Sequence, residues 1–511
     1  MRRAFLLKTV AVAALFSGFS APVVAQQEEP LSAIDWLSET VVTPQTAPNS
    51  DVTDSAAIEE IETSPLGQPS RDGVGLLPVS VTGFPRELWG PTPSEDLARA
   101  LLSQPVETYP ALQALLMKLL LAEVSPPSDT DPRAVLFQAR IDKLLDIGAL
   151  DQAASLMEIT GTESAEMFRR YFDIALLIGV ETAACENLQN TATMAPTLPA
   201  RVFCLARTGD WNAAALTLET GRALGYISEE EDELLARFLD PELFEGADEL
   251  PLIARPSPLT FRLYEAIGEP IPTTHLPRAF AQTDLNKNNG WRARLQAAEK
   301  LAASGAVADN VLFPLYTDRK PPASGGLWDR VAAVQNFDDA LRAKDTAGVA
   351  LTLPKAQSAM AEASLLTPFA RYYTPLLAPL LLDPETARTR FHLGLLTDDY
   401  ETVALQYAPD TAEDRFLVDL AKGMPKLHGL SSSKARAIVD GFNTLTPPPA
   451  EAAMLKNGEI GRAILSAMTL FERGSTGDPD DIAAGLTTLR ALGLEDVARR
   501  AALQLMLLER S

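Results

Sequence analysis

The chain has 511 residues, 46% of them hydrophobic and 22% charged, a composition typical of a folded protein of several domains or one long array. Sixty-eight acidic residues against 44 basic ones leave a net charge of -24, which argues against nucleic acid or an anionic lipid surface as partner. Three histidines and two cysteines leave little material for a metal centre.

Residues 1–25 read as a secretory signal. Arg2, Arg3 and Lys8 precede an apolar stretch from Thr9 to Phe19, and Val23 and Ala25 place small residues at a cleavage site. Cleavage after Ala25 would release a periplasmic chain starting at Gln26, of charge -27. Arg2, Arg3 and the following Ala4, Phe5 and Leu6 also resemble a twin-arginine export signal. Later apolar runs, Ala111–Val124 and Leu376–Leu382, are too short to span a membrane and are expected as buried helices.

Residues 26–93 hold nine prolines, eleven acids and two bases, the composition of a disordered acidic tail. Two apolar islands interrupt it. In Leu31–Leu37, the side chains of Ile34, Trp36 and Leu37 can share a helical face, and they are expected to anchor the tail in a groove of this protein or of a partner. Val74–Trp89 suggests an extended strip laid on the body.

From Ser94 onward apolar residues recur at spacings of three and four, which predicts about twenty helices. Helix starts are expected at Ser94 and at Asp131, whose neighbour Pro132 suits a first turn; stops are expected at Gly148 and Gly305. The division predicted is an N-terminal helical region 94–250, a Pro-rich connector 251–290 with six prolines, and a C-terminal helical region 291–511.

Four joints look alike, at 146–159, 207–220, 396–409 and 491–506. Each is a helix end, a short turn, and a new helix rich in small residues. The run Gly209, Asp210, Trp211, Asn212, Ala213, Ala214 resembles tetratricopeptide-type helical hairpins most closely. The resemblance implies an all-α, irregular α-solenoid with a concave binding face. Their anchors Gly148, Gly209, Thr397 and Gly493 lie 61, 188 and 96 residues apart, none a multiple of 34, which excludes a regular array. The whole layout is also similar to a group of alphaproteobacterial periplasmic proteins. The features shared are Asp35, Trp36 and Leu37 after the signal, the Pro-rich tail, GWRARLQAAEKLAASGA at 290–306 and SGGLWDRVAAVQNFD at 324–338. Some members carry an antifreeze-glycopeptide label, which this chain does not support, because it has no tandem Ala-Ala-Thr units. The resemblance implies a compartment and a layout, and no activity.

Catalytic signatures are missing from the sequence. His275, His392 and His428 are far apart, no HExxH or CxxC occurs, and Asp284–Asn289 departs from a calcium loop at its sixth and twelfth positions. No GxSxG, P-loop or GxGxxG is present. Ser432 or Ser433 is expected to cap a helix. The acidic run Glu229–Glu233 suits a helix start, where acids meet the positive end of the dipole. Glu163 and Ser164 echo the Glu-Ser pair of lytic transglycosylases only as a helix start. Trp211, Trp291 and Trp328 read as wedges between helices. Cys185 and Cys204 flank a turn marked by Pro196 and Pro199, ten before and nine after its midpoint, and are expected to form a disulfide in an oxidising compartment.

The function expected is a non-enzymatic periplasmic scaffold or adaptor with a protein or peptide partner and no cofactor. An envelope enzyme or enzyme regulator acting on peptidoglycan is the alternative, and a carrier with a small-ligand pocket between the two helical halves is a third reading.

Overall fold

The computed structural model describes residues 70–508, apart from 163 and 191–194. The signal segment, the tail up to Pro69 and the anchor residues Ile34, Trp36 and Leu37 lie outside the described residues. The described residues form 25 α-helices and no strand, with one isolated bridge between Leu77 and Ala122. The fold is all-α. No described helix is long and apolar enough to cross a membrane. The first apolar run is buried in the helix Pro110–Leu121, as expected. The second is not: Leu377 is buried, whereas Leu381 is 93% exposed beyond the end of the helix Leu366–Leu377.

Two helices take their caps from far along the chain. Ser94 opens the helix Ser94–Leu102, but its hydroxyl donates to Asp129 Oδ1 at 2.7 Å and its N–H donates to the same carboxylate at 3.0 Å. The helix expected from Asp131 starts instead at Val135. Asp131 turns back to accept the Arg133 N–H at 2.9 Å, and Ala134 follows in the left-handed region with φ 51°. Asp72 supplies the cap, accepting the N–H of Phe137, third residue of Val135–Ile147, at 2.8 Å. Gly148, at φ 86°, ends that helix as expected.

The strip after Asp72 lies against the body. The N–H groups of Leu76 and Leu77 donate to the Leu121 carbonyl at 2.8 and 2.9 Å, and the Glu123 N–H donates to Leu77 at 2.9 Å. Val79–Thr82 then wind into one helical turn, so the strip is not extended throughout. Beneath it sits Arg140, fully buried. Its guanidinium donates to the carbonyls of Leu120 (2.8 Å), Val74 (2.8 Å), Ala122 (3.1 Å) and Asp72 (3.2 Å). Burial pushes this group down to about 10, against the opposing pull of the Asp72 charge. Burial also raises the Asp72 carboxyl, opposed by hydrogen bonds from Thr130 and Phe137 and by the charge of Arg140.

The hydrophobic clusters do not follow chain order. One runs from Phe84 to Phe280 and resumes from Phe391 to Leu505; a second gathers residues between Trp291 and Leu396, and a small third one joins Ala281, Ala297 and Leu301. The helices after Phe391 therefore share their core with the N-terminal region. The segment 251–290 is no bare connector either. It folds into Pro258–Ala266 and Arg278–Asp284, and buries Phe261 and Phe280 in the first cluster. Pro258 occupies a first-turn position, where its missing N–H costs nothing, so this proline starts a helix.

The four similar joints are each a helix, a turn and a helix: Val135–Ile147 with Leu150–Thr160, Leu198–Arg207 with Trp211–Ala223, Pro384–Gly394 with Tyr400–Gln406, and Pro479–Ala491 with Glu495–Leu507. In an open array each such unit touches only its neighbours. Here the first helices also meet the last. The Gly461 N–H donates to Leu88 at 2.8 Å, the Ala111 N–H donates to Gln504 Oε1 at 2.8 Å, and the Gln104 amide reaches Leu465 and Thr469. Trp89 lies directly over Gly461, where a Cβ would stand 2.5 Å from the indole ring.

Gly461→Ala tests this junction. Alanine is the better helix former by about 1 kcal/mol, yet overpacking against a buried ring costs about 1–3 kcal/mol. The expected net result is a lower melting temperature by circular dichroism. An unchanged or higher one would show that Trp89 can move aside at no cost.

Candidate functional site

The disulfide frames the region of interest. Cys185 on Glu181–Asn190 and Cys204 on Leu198–Arg207 are buried and bonded, with Cα atoms 4.9 Å apart. Glu181, also buried, adds a second tie, accepting from Arg207 at 2.5 Å and lying 3.6 Å from Arg262 on Pro258–Ala266. A bridge closing a loop of this size stabilises by about 3 kcal/mol through the unfolded chain. The double variant Cys185→Ser/Cys204→Ser should therefore melt well below wild type, and reductant should lower only the wild-type melting temperature. Equal melting of the two proteins would deny the bridge a structural role.

Three capped helix starts converge beside it. Thr197 accepts the Ala200 N–H at 3.2 Å, and Ser257 accepts the Thr260 N–H at 3.0 Å. Ser228 and Glu231 form a reciprocal capping box at the start of Glu229–Leu239, so the acidic run does serve as a helix start. Together with Ala165–Ile178, whose Ser164 cap accepts the Met167 N–H, these elements line a cavity of about 220 Å³. Phe172, Leu234, Leu259 and Leu263 give it apolar walls; Arg169, Asp173, Glu231 and Arg255 give it charge.

The charged residues differ in how committed they are. Glu231 is held by Ser228, and Arg255, though exposed, also has a partner. Arg170, next to the cavity helix face, is locked in a two-pronged ion pair with Asp142 at 2.8 and 3.0 Å. The side chains of Arg169 and Asp173 have no hydrogen-bond or ion-pair partner among the described residues. Burial pushes the Asp173 carboxyl up to about 7, against the pull of Arg169 and Arg170. The positive helix starts and Arg169 can receive an anionic group in the cavity, and Asp173 a cationic one.

The raised Asp173 carboxyl has a measurable sign. The folded chain holds this proton up to about pH 7, whereas an unfolded aspartate releases it near 3.8. The stability it contributes is therefore present below that lower value and is lost as pH rises through 7. Asp173→Asn should match wild type at pH 4 and melt higher than wild type at pH 8. A variant that gains nothing between the two pH values would contradict the buried, unpaired setting.

The other sequence candidates fall into structural roles. His392 pairs with the buried Asp414 at 2.7 Å, and Arg388 holds the same carboxylate at 2.7 Å, tying Pro384–Gly394 to Ala412–Ala421. His428 pairs with Asp419 at 2.8 Å, and His275 sits in a short turn. Asn286 accepts the Asn288 N–H within its own turn. Ser432 caps the helix Ser433–Asn443 through the Ala435 N–H. Among the described residues no group of three or more His, Cys, Asp or Glu side chains is placed to hold a metal. Trp291 and Trp328 do wedge together, with ring centroids 4.9 Å apart. Trp211 does so only in part, leaning on Phe238 while 48% exposed.

Sequence reasoning passed over Arg169 and Asp173. Their signal is an opposite-charge pair four residues apart beside Phe168 and Phe172, a pattern common on solvated helix faces. Comparison of the chain with protein-family models, curated proteins and solved structures finds no match.

Proposed function

We propose that this chain is exported through residues 1–25 and works in the periplasm as a scaffold or adaptor. In this reading it is an irregular solenoid of tetratricopeptide-like hairpins, akin to the alphaproteobacterial group named above, that holds segments of other envelope proteins. One observation carries it. The helix Trp211–Ala223 buries Ala214, Leu218 and Gly221, while Leu216, 69% exposed, lies on the opposite face with Ala223. Leu224 and Tyr226, just beyond the helix, are exposed as well. Such clustering marks surfaces that other chains cover. The Cys185–Cys204 bridge supports an oxidising compartment.

Cross-linking in intact cells, followed by mass spectrometry, tests the reading with wild type and a Leu216→Glu/Leu224→Glu variant. The adaptor predicts a mature chain starting at Gln26, one dominant partner, and loss of that partner in the variant at an unchanged melting temperature. Identical partners for both proteins, or purified chain that dissolves cell-wall sacculi, would overturn it.

A second reading, a small-ligand carrier, is favoured by the cavity. The pocket expected for it between the two helical halves is instead found among Ala165–Ile178 and the starts of three neighbouring helices.

A further inference from the structure

We propose that this cavity binds one small apolar α-amino acid, its carboxylate toward Arg169 and its ammonium group on Asp173. The proposal rests on the small-ligand reading of the cavity and gives that ligand a chemical class.

The first reason is the state of the two charges. Arg169 and Asp173 stand four residues apart on one helix and both line the cavity. Opposite charges at that spacing commonly close on each other. These do not, and neither side chain finds another partner among the described residues. The order is part of the cause: a base preceding an acid is the weaker orientation of such a pair on a helix. Above about pH 7, where Asp173 is ionised, two open charges of opposite sign at one cavity complement a ligand carrying both. A simple monoanion would meet Arg169 but leave Asp173 facing its negative charge. A simple cation would satisfy Asp173 and face Arg169 and the positive helix ends.

The second reason is shape. The caps Thr197 and Ser257 place two helix starts on the cavity, a setting that favours a carboxylate. The walls left over are Phe172, Leu234, Leu259 and Leu263, which suit a hydrocarbon side chain. The volume of about 220 Å³ is modest. It exceeds the roughly 150 Å³ that holds a benzene ring and falls short of the about 300–1,000 Å³ typical of larger ligands. Glu231, already held by Ser228, does not compete for the ammonium group.

Isothermal titration of the mature chain at pH 8, where Asp173 is ionised, with leucine, N-acetyl-leucine, leucinamide and hexanoate tests the assignment. Leucine should bind best. N-acetyl-leucine and leucinamide, each lacking one charge, should bind about tenfold more weakly or worse. Arg169→Gln, which removes no hydrogen bond or ion pair among the described residues, should keep the wild-type circular-dichroism spectrum and lose about tenfold in leucine affinity. If hexanoate or N-acetyl-leucine binds as tightly as leucine, the amino-acid assignment is overturned while the cavity remains a ligand site. If none of the four binds at millimolar concentration, the assignment and the carrier reading fall together. Leucine binding that survives Arg169→Gln unchanged would place the site elsewhere and overturn the proposal.

Discussion

A guanidinium without solvent is costly unless its donors find acceptors, and Arg140 places four of its five N–H groups on backbone carbonyls. Two belong to the end of Pro110–Leu121 and the residue after it, and two belong to the strip that begins at Asp72. One side chain thus fixes the strip to the helix it crosses. Removing it would leave four carbonyls and the Asp72 carboxyl short of a partner, a far larger loss than a surface ion pair. The strip in turn sets Leu88 and Trp89 against Gly461, so the junction of the first and last helices depends on a charge buried well away from it.

Asp72 joins this arrangement to helix formation. The carboxylate beside Arg140 also caps Val135–Ile147, so one acidic residue serves as counter-charge and as helix start. Asp129 does the same work for Ser94–Leu102. A cap placed 65 residues from its helix makes the boundary a tertiary property: the helix starts where it does only once the strip is seated.

That explains which features were legible from residue order. Gly148, Ser228 and Ser432 act on their own neighbours, and they mark helix ends as local chemistry says they should. The cysteine pair was legible because the span between the two residues needs only a turn to bring them level. The start at Val135 was hidden, since Asp131 and Pro132 form a persuasive local signal that a distant carboxylate overrides. Leu381 misled because an apolar run says nothing of whether a neighbour covers it. Arg169 and Asp173 were invisible for a related reason. Their helix face looks solvated until the segments at 196–200, 231–235 and 253–263 enclose it.

The meeting of the first and last helices also dictates an order of events for a chain made from its amino terminus. Gln104 and Leu465 are 361 residues apart. Closing so long a loop is thermodynamically mild, since each doubling of length adds about 0.6 kcal/mol, but it cannot begin until the far end exists. Until Gly461 leaves the ribosome, Trp89 lacks the helix that covers it. The amino-terminal helices must wait with an aromatic surface open, a condition that invites a holding chaperone. A stop codon late in the message would therefore be felt at the opposite end of the protein.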